Sequence, residues 1–215
     1  MPRIPAVLVG ALAYLLASEA GAELEPKRKG LQVDVAGGLS FCLPGGAARC
    51  KRVDGVTAPH AGGVVTVGYR FRPWLLAGLS YEFGLLRPTY TDILGGRQLY
   101  GLTRHQGIFG VVRTGVDVGR IDLGLEFGLG YSQQVAPYVH DDFRGERFGT
   151  RGFAARVTPL IAVYLTRRIY LGLRWDVTLN FHRSPACSPG RCPDPVKAPA
   201  FGHHSLLGLM FGVTI

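Results

Sequence analysis

Three sets of side chains in this 215-residue chain have the types and spacing for chemistry. His203-His204-Ser205 puts a base and a nucleophile at i and i+2, which in a strand share one face. A serine hydroxyl becomes an acyl-transfer nucleophile when an imidazole takes its proton and a carboxylate orients the imidazole. No Asp or Glu stands at a matching position on the neighbouring faces, so the orienting group is missing. The second set is four cysteines in two local pairs, Cys42 with Cys50 and Cys187 with Cys192, the latter flanking the turn sequence Ser-Pro-Gly-Arg. Outside the cytoplasm such spacings favour two disulfides over a zinc site. The third set is a scatter of acids and arginines: Asp34, Arg70, Glu82, Arg113, Asp117, Asp122, Glu126, Arg156, Arg174 and Asp176. Whether these meet depends on the elements that carry them.

Those elements are strands. Residues 121 to 132 set Ile121, Leu123, Leu125, Phe127, Leu129 and Tyr131 against Asp122, Gly124, Glu126, Gly128, Gly130 and Ser132. Successive side chains of a strand point to opposite faces, so one face is apolar and the other carries glycines and carboxylates. The same period of two recurs over residues 30 to 42, about 61 to 71, 74 to 86, 105 to 118, 151 to 165, 169 to 181 and 203 to 215, eight copies in all. In the fourth copy Phe109 and Val111 fall on the polar side, and in the sixth Pro159, which donates nothing to a ladder, predicts a local bulge.

Connections alternate in length. Arg72-Pro73-Trp74, Gly119-Arg120 and Thr166-Arg167-Arg168 are tight, and Gly-X suits a two-residue hairpin turn. The others are expected to run roughly 15 to 20 residues and are rich in Gly, Pro, Arg and Asp. Short turns at one end and long loops at the other predict an all-β fold, an eight-stranded antiparallel up-and-down transmembrane β-barrel. Volume decides which face is outside. Roughly forty large apolar side chains cannot fit within eight strands, whose interior holds only a modest set, so they face lipid and the charges line the lumen. A lipocalin-like barrel with apolar residues inward fails on this count.

At the N-terminus, Met-Pro-Arg, an apolar run from Ile4 to Ala17 and Ala20-Gly21-Ala22 read as a signal peptide over residues 1 to 22, with the barrel domain at 23 to 215. The apolar run is shorter than the roughly 20 residues of a spanning helix.

Together with the stretch Val-Gly-Tyr-Arg-Phe-Arg-Pro-Trp (67 to 74) and the C-terminal strand, these features resemble the small OmpA/OmpX-type outer-membrane barrels of Gram-negative bacteria. The resemblance implies periplasmic termini and tight turns, extracellular long loops, and a last strand read by the barrel-assembly machinery. Here Gly208, Phe211 and Val213 match that signal in part, and the chain ends in Ile215. His203 and Ser205 also resemble the His-x-Ser pair of outer-membrane lipid A deacylases, which implies a hydrolase as an alternative. The Asn-Ala that follows serine in that family is replaced by Leu206-Leu207.

Register then predicts the lumen. A two-residue turn at Gly119-Arg120 puts Arg113 opposite Glu126 and Asp117 opposite Asp122, a like-charge pair that needs a cation such as Arg70, Arg120 or Arg174. Asp176 lies diagonal to Arg156 and two residues from Arg174. Eight strands leave little bore, so charge pairs plugging the core are favoured over a gated path for ions or small solutes. The net charge of +9 points to anionic partners. Loop cations Arg49, Lys51, Arg52, Arg87, Arg97, Arg104, Arg183, Arg191 and Lys197 suit lipopolysaccharide phosphates or an anionic extracellular ligand. The expected function is therefore a non-enzymatic, largely closed outer-membrane barrel, a monomer, displaying disulfide-tethered basic loops for structural or adhesive roles. No cofactor, metal or nucleic acid is expected.

Overall fold

The computed structural model describes residues 29–43, 59–86, 101–137, 147–185 and 203–215. These residues form eight strands: β1 (Gly30–Leu43), β2 (His60–Arg72), β3 (Leu75–Leu86), β4 (Thr103–Val118), β5 (Ile121–Pro137), β6 (Arg147–Tyr164), β7 (Ile169–Pro185) and β8 (His203–Thr214). Each pairs antiparallel with the next, and β1 pairs with β8, so the sheet closes on itself as a barrel in sequence order. Closure removes both sheet edges. Within each strand burial alternates, with Gln32, Asp34 and Ala36 buried and Leu31, Val35 and Leu39 exposed.

The start of β1, the end of β8 and the tight turns lie at one end of the barrel, the turn end, and Ile215 donates its N–H to the Leu31 carbonyl at 2.7 Å. Gly119 has φ +60°, a left-handed conformation open to glycine at little steric cost. The β2–β3 register shifts by one between Arg70 and Arg72. At the β6–β7 turn the Thr166 hydroxyl accepts hydrogen bonds from the Arg168 and Ile169 amides.

Several expectations need correction. Pro159 produces no bulge: the β6–β7 register is the same at Val157↔Val177 and Leu160↔Arg174, and the shift lies instead between Arg151 and Gly152. The missing proline N–H is accommodated by leaving Thr158 and Pro159 out of the ladder to β7 while both pair with β5. The third long connection is only residues 138–146, because β5 continues to Pro137 and β6 begins at Arg147. Arg104 and Arg183 are strand residues of β4 and β7, not loop residues.

The expected pair of loop-tethering disulfides is also withdrawn. Among the described residues no disulfide joins two cysteines, and Cys42 sits inside β1, paired in register with His204, rather than in a loop. Cys42 is not a free thiol. Cys50, Cys187 and Cys192 lie outside the described residues, as do Arg49, Lys51, Arg52, Arg87, Arg97, Arg191 and Lys197.

Candidate functional site in the barrel lumen

Register decides which side chains meet inside. In β4–β5, Arg113 lies opposite Glu126 and Asp117 opposite Asp122, as the two-residue turn requires. Nearest the turn end, Arg70 bonds the Asp122 carboxylate at 2.7 Å and the Pro73 carbonyl at 2.8 Å, supplying the cation that the Asp117–Asp122 juxtaposition called for. Asp117 itself is half-buried. Arg70 also donates to Gln32 Oε1 at 3.0 Å, and Gln32 and Tyr170 both donate to Asp34. Ala36, Leu160, Ala162, Tyr164, Tyr170 and Met210 pack as an apolar cluster in the lumen.

Glu126 occupies the centre. Its Oε2 accepts from Arg113 Nε (3.0 Å) and Nη2 (2.7 Å), and its Oε1 accepts from Arg156 Nη2 (2.7 Å) and Arg174 Nη2 (3.2 Å). Arg113 Nη2 also reaches Asp34 Oδ2 at 2.6 Å. Asp176 accepts from Arg174 Nη2 (2.6 Å), Arg174 Nε (2.9 Å) and Thr158 Oγ1 (2.7 Å), with Arg156 Nε at 3.7 Å. Buried charges are tolerable only when paired and hydrogen-bonded, and every acid and arginine of this layer meets that condition. Phe109 and Val111, which broke the polar pattern of β4, are interior after all: they pack with Ala154, and the Arg156 guanidinium lies 4.8 Å over the Phe109 ring.

Towards the loop end, Glu82 of β3 gathers side chains that sequence reading did not bring together. Thr178 Oγ1 donates to its Oε2 at 2.9 Å and Arg156 Nη1 lies 3.3 Å from the same oxygen. Its Oε1 faces His204 Nδ1, within hydrogen-bonding range, and His105 Nε2 at 3.1 Å. The two imidazoles stack with centroids 4.1 Å apart, and His204 Nε2 meets Ser40 Oγ at 2.7 Å. All four residues are fully buried. Parity carries the signal for them: His105 is an even number of residues from Arg113 on β4, and His204 shares its face with Leu206 and Met210 on β8.

The outward pair His203 and Ser205 bond other partners than each other. His203 Nδ1 accepts from the Asn180 amide at 3.3 Å, and Ser205 Oγ accepts from the Trp175 indole at 2.8 Å, which buries it completely. No hydrogen bond joins them. On the outer face near the loop end, Arg104, Gln106, Gln133, Val135 and Arg147 line a groove of about 400 Å³.

No protein-family profile matches the chain, and no curated protein matches it. Among solved structures it is similar to neisserial surface protein A, with a TM-score of 0.54, 10% identity, and coverage of 88% of this chain and 98% of that one. It is similar in the same degree to the outer membrane protein OprG from Pseudomonas aeruginosa, with a TM-score of 0.54, 10% identity, and coverage of 87% and 98%. The likeness is one of fold, an eight-stranded antiparallel barrel of the kind found in small outer-membrane proteins, and does not single out the OmpA/OmpX type.

Proposed function

We propose that the chain is an integral outer-membrane barrel with a closed lumen and no catalytic activity, holding its long connections at the cell surface. One observation carries the reading: the barrel is inverted, with Leu31, Val67, Leu79, Ile108, Leu129, Leu173 and Leu209 exposed around it while Arg113, Glu126, Arg156, Arg174 and Asp176 are buried within. Water penalises such an exterior, hydrocarbon accepts it, and only a closed ladder satisfies its backbone there. The folds of two small barrels, one from an outer membrane by its name, support the same location.

The finer parts of the reading rest on the OmpA/OmpX-type resemblance. The turn end and both termini face the periplasm after removal of residues 1 to 22, the long connections face outward, and assembly uses the barrel-assembly machinery. The chain is a monomer, because closure leaves no edge to pair. Arg104 and Arg147 beside the outer groove suit lipopolysaccharide phosphates, with guanidinium donors for phosphate oxygens and Val135 against the acyl chain.

Membrane fractionation of cells expressing the full chain tests it. The protein is expected in the outer membrane, resisting carbonate and high salt, and migrating differently on gels before and after boiling. Release by carbonate overturns the reading.

A further inference from the structure

We propose that Glu82, His105 and His204 bind one divalent first-row transition ion, with zinc as its simplest probe, in the lumen towards the loop end. Three neighbouring facts of geometry converge there. One carboxylate oxygen and one nitrogen from each imidazole lie within 4.8 Å of one another, contributed by β3, β4 and β8. One nitrogen of each ring lies close to the same oxygen, Glu82 Oε1. Neither nitrogen of His105 has a hydrogen-bond partner, although the ring is fully buried. His105 Nε2 is 3.1 Å from Glu82 Oε1 but out of line for a hydrogen bond. A buried imidazole whose nitrogens lack hydrogen bonds is costly. An ion taking its one lone pair removes the share of that cost that falls on the ligating nitrogen.

The surrounding atoms are arranged as supports of a metal site. Arg156 and Thr178 hold Glu82 Oε2, which leaves Oε1 for the ion. Ser40 Oγ meets His204 Nε2, so that nitrogen can keep its proton and donate to the hydroxyl while Nδ1 presents its lone pair. Gly84 lies against this contact, where a Cβ would collide with both His204 Nε2 and Ser40 Oγ. Among the described residues the buried acids Asp34, Glu82, Asp122, Glu126 and Asp176 outnumber the buried arginines Arg70, Arg113, Arg156 and Arg174 by one, so these groups set no surplus of positive charge against a cation.

Ligand chemistry selects the ion. Two imidazoles and a carboxylate suit zinc, copper or nickel, whereas magnesium and calcium prefer oxygen alone. Tetrahedral zinc with bonds of about 2.0–2.1 Å places its ligands about 3.3 Å apart, close to the His105–Glu82 separation. The same atoms give a Ser40–His204–Glu82 connectivity like that of an acyl-transfer triad. Complete burial of all three keeps a substrate carbonyl from Ser40 Oγ, and a triad leaves the bare nitrogens of His105 without a role.

The full mature chain, refolded in detergent micelles and stripped with chelator, tests the proposal by calorimetric titration with zinc and by cobalt absorption in the visible. One equivalent of zinc is expected, with cobalt giving the intense bands of a low-coordinate site. His105→Ala and Glu82→Gln, each checked for heat-modifiable migration, should lose this binding, and His203→Ala, on the opposite face of β8, should keep it. Ser40→Ala should weaken it about 10- to 100-fold. Zinc should also move the imidazole resonances of both His105 and His204 in the wild-type chain, a reading that needs no variant to fold. No binding by wild type, binding unchanged in folded His105→Ala, or zinc shifts that miss these two rings would overturn it.

Discussion

Glu126 is the residue on which most of the lumen's charge is balanced. It accepts four hydrogen bonds from three arginines on β4, β6 and β7, so Glu126→Gln leaves Arg113, Arg156 and Arg174 short of a counter-charge together. A loss of about 3–5 kcal/mol is expected, well above that of a surface pair. Adding Arg113→Gln should recover only part of it, because Arg156 and Arg174 still face the neutral side chain. Urea unfolding in lipid bilayers reads the cycle, and strictly additive losses would contradict the network. At the same scale, Ser205 is covered by Trp175 and Ser40 is enclosed, so neither is expected to react with a serine-directed fluorophosphonate. Mass spectrometry of the treated barrel checks this, and labelling of either serine would revive a hydrolase.

Strands and turns set how much local change the barrel absorbs. Gly119 holds φ +60° in the β4–β5 hairpin, and its position is open, with no atom near a added side chain. Gly119→Val should therefore cost about 1–2 kcal/mol through backbone strain alone, and Gly119→Asn less. Pro159 is the opposite case. It lies outside the ladder to β7 without shifting the register, so Pro159→Val should change stability by less than about 1 kcal/mol and leave the boiled and unboiled gel mobilities unchanged. A large loss would mean that the proline fixes the strand's path. The strands also differ in length: β4 to β7 have 16 to 18 residues and β1, β2, β3 and β8 have 12 to 14. About 9–11 residues cross a bilayer, so the β4–β7 wall reaches further past the membrane at the loop end, where the Arg104–Arg147 groove lies.

Across the whole molecule, apolar exterior and charged interior act together. The guanidiniums of Arg113, Arg156 and Arg174 and the carboxylates of Glu126 and Asp176 cross the bore at mid-height, with the apolar cluster around Tyr170 and Met210 towards the turn end. Liposomes carrying the refolded barrel are expected to show no swelling with small sugars and no steady conductance. Sustained flux of either kind would turn the reading to a channel.

Much of this architecture was legible in the chain itself. A period of two, repeated eight times with alternating short and long breaks, left little choice but an up-and-down barrel, and too many large side chains for its interior placed them outside. The Gly119-Arg120 turn fixed Arg113 against Glu126, because a hairpin's loop length sets its register. Local pattern has no reach across the lumen, however. It could not say that Arg156 and Arg174, from β6 and β7, close on the same carboxylate as Arg113, nor that Tyr170 serves Asp34. It drew attention to His203 and Ser205, whose spacing looked chemical, and passed over His204 between them. Ser40, Glu82, His105 and His204 come from four strands, β1, β3, β4 and β8, and only barrel closure, which joins β1 to β8 and curls β3 and β4 round to face them, brings their side chains within bonding distance.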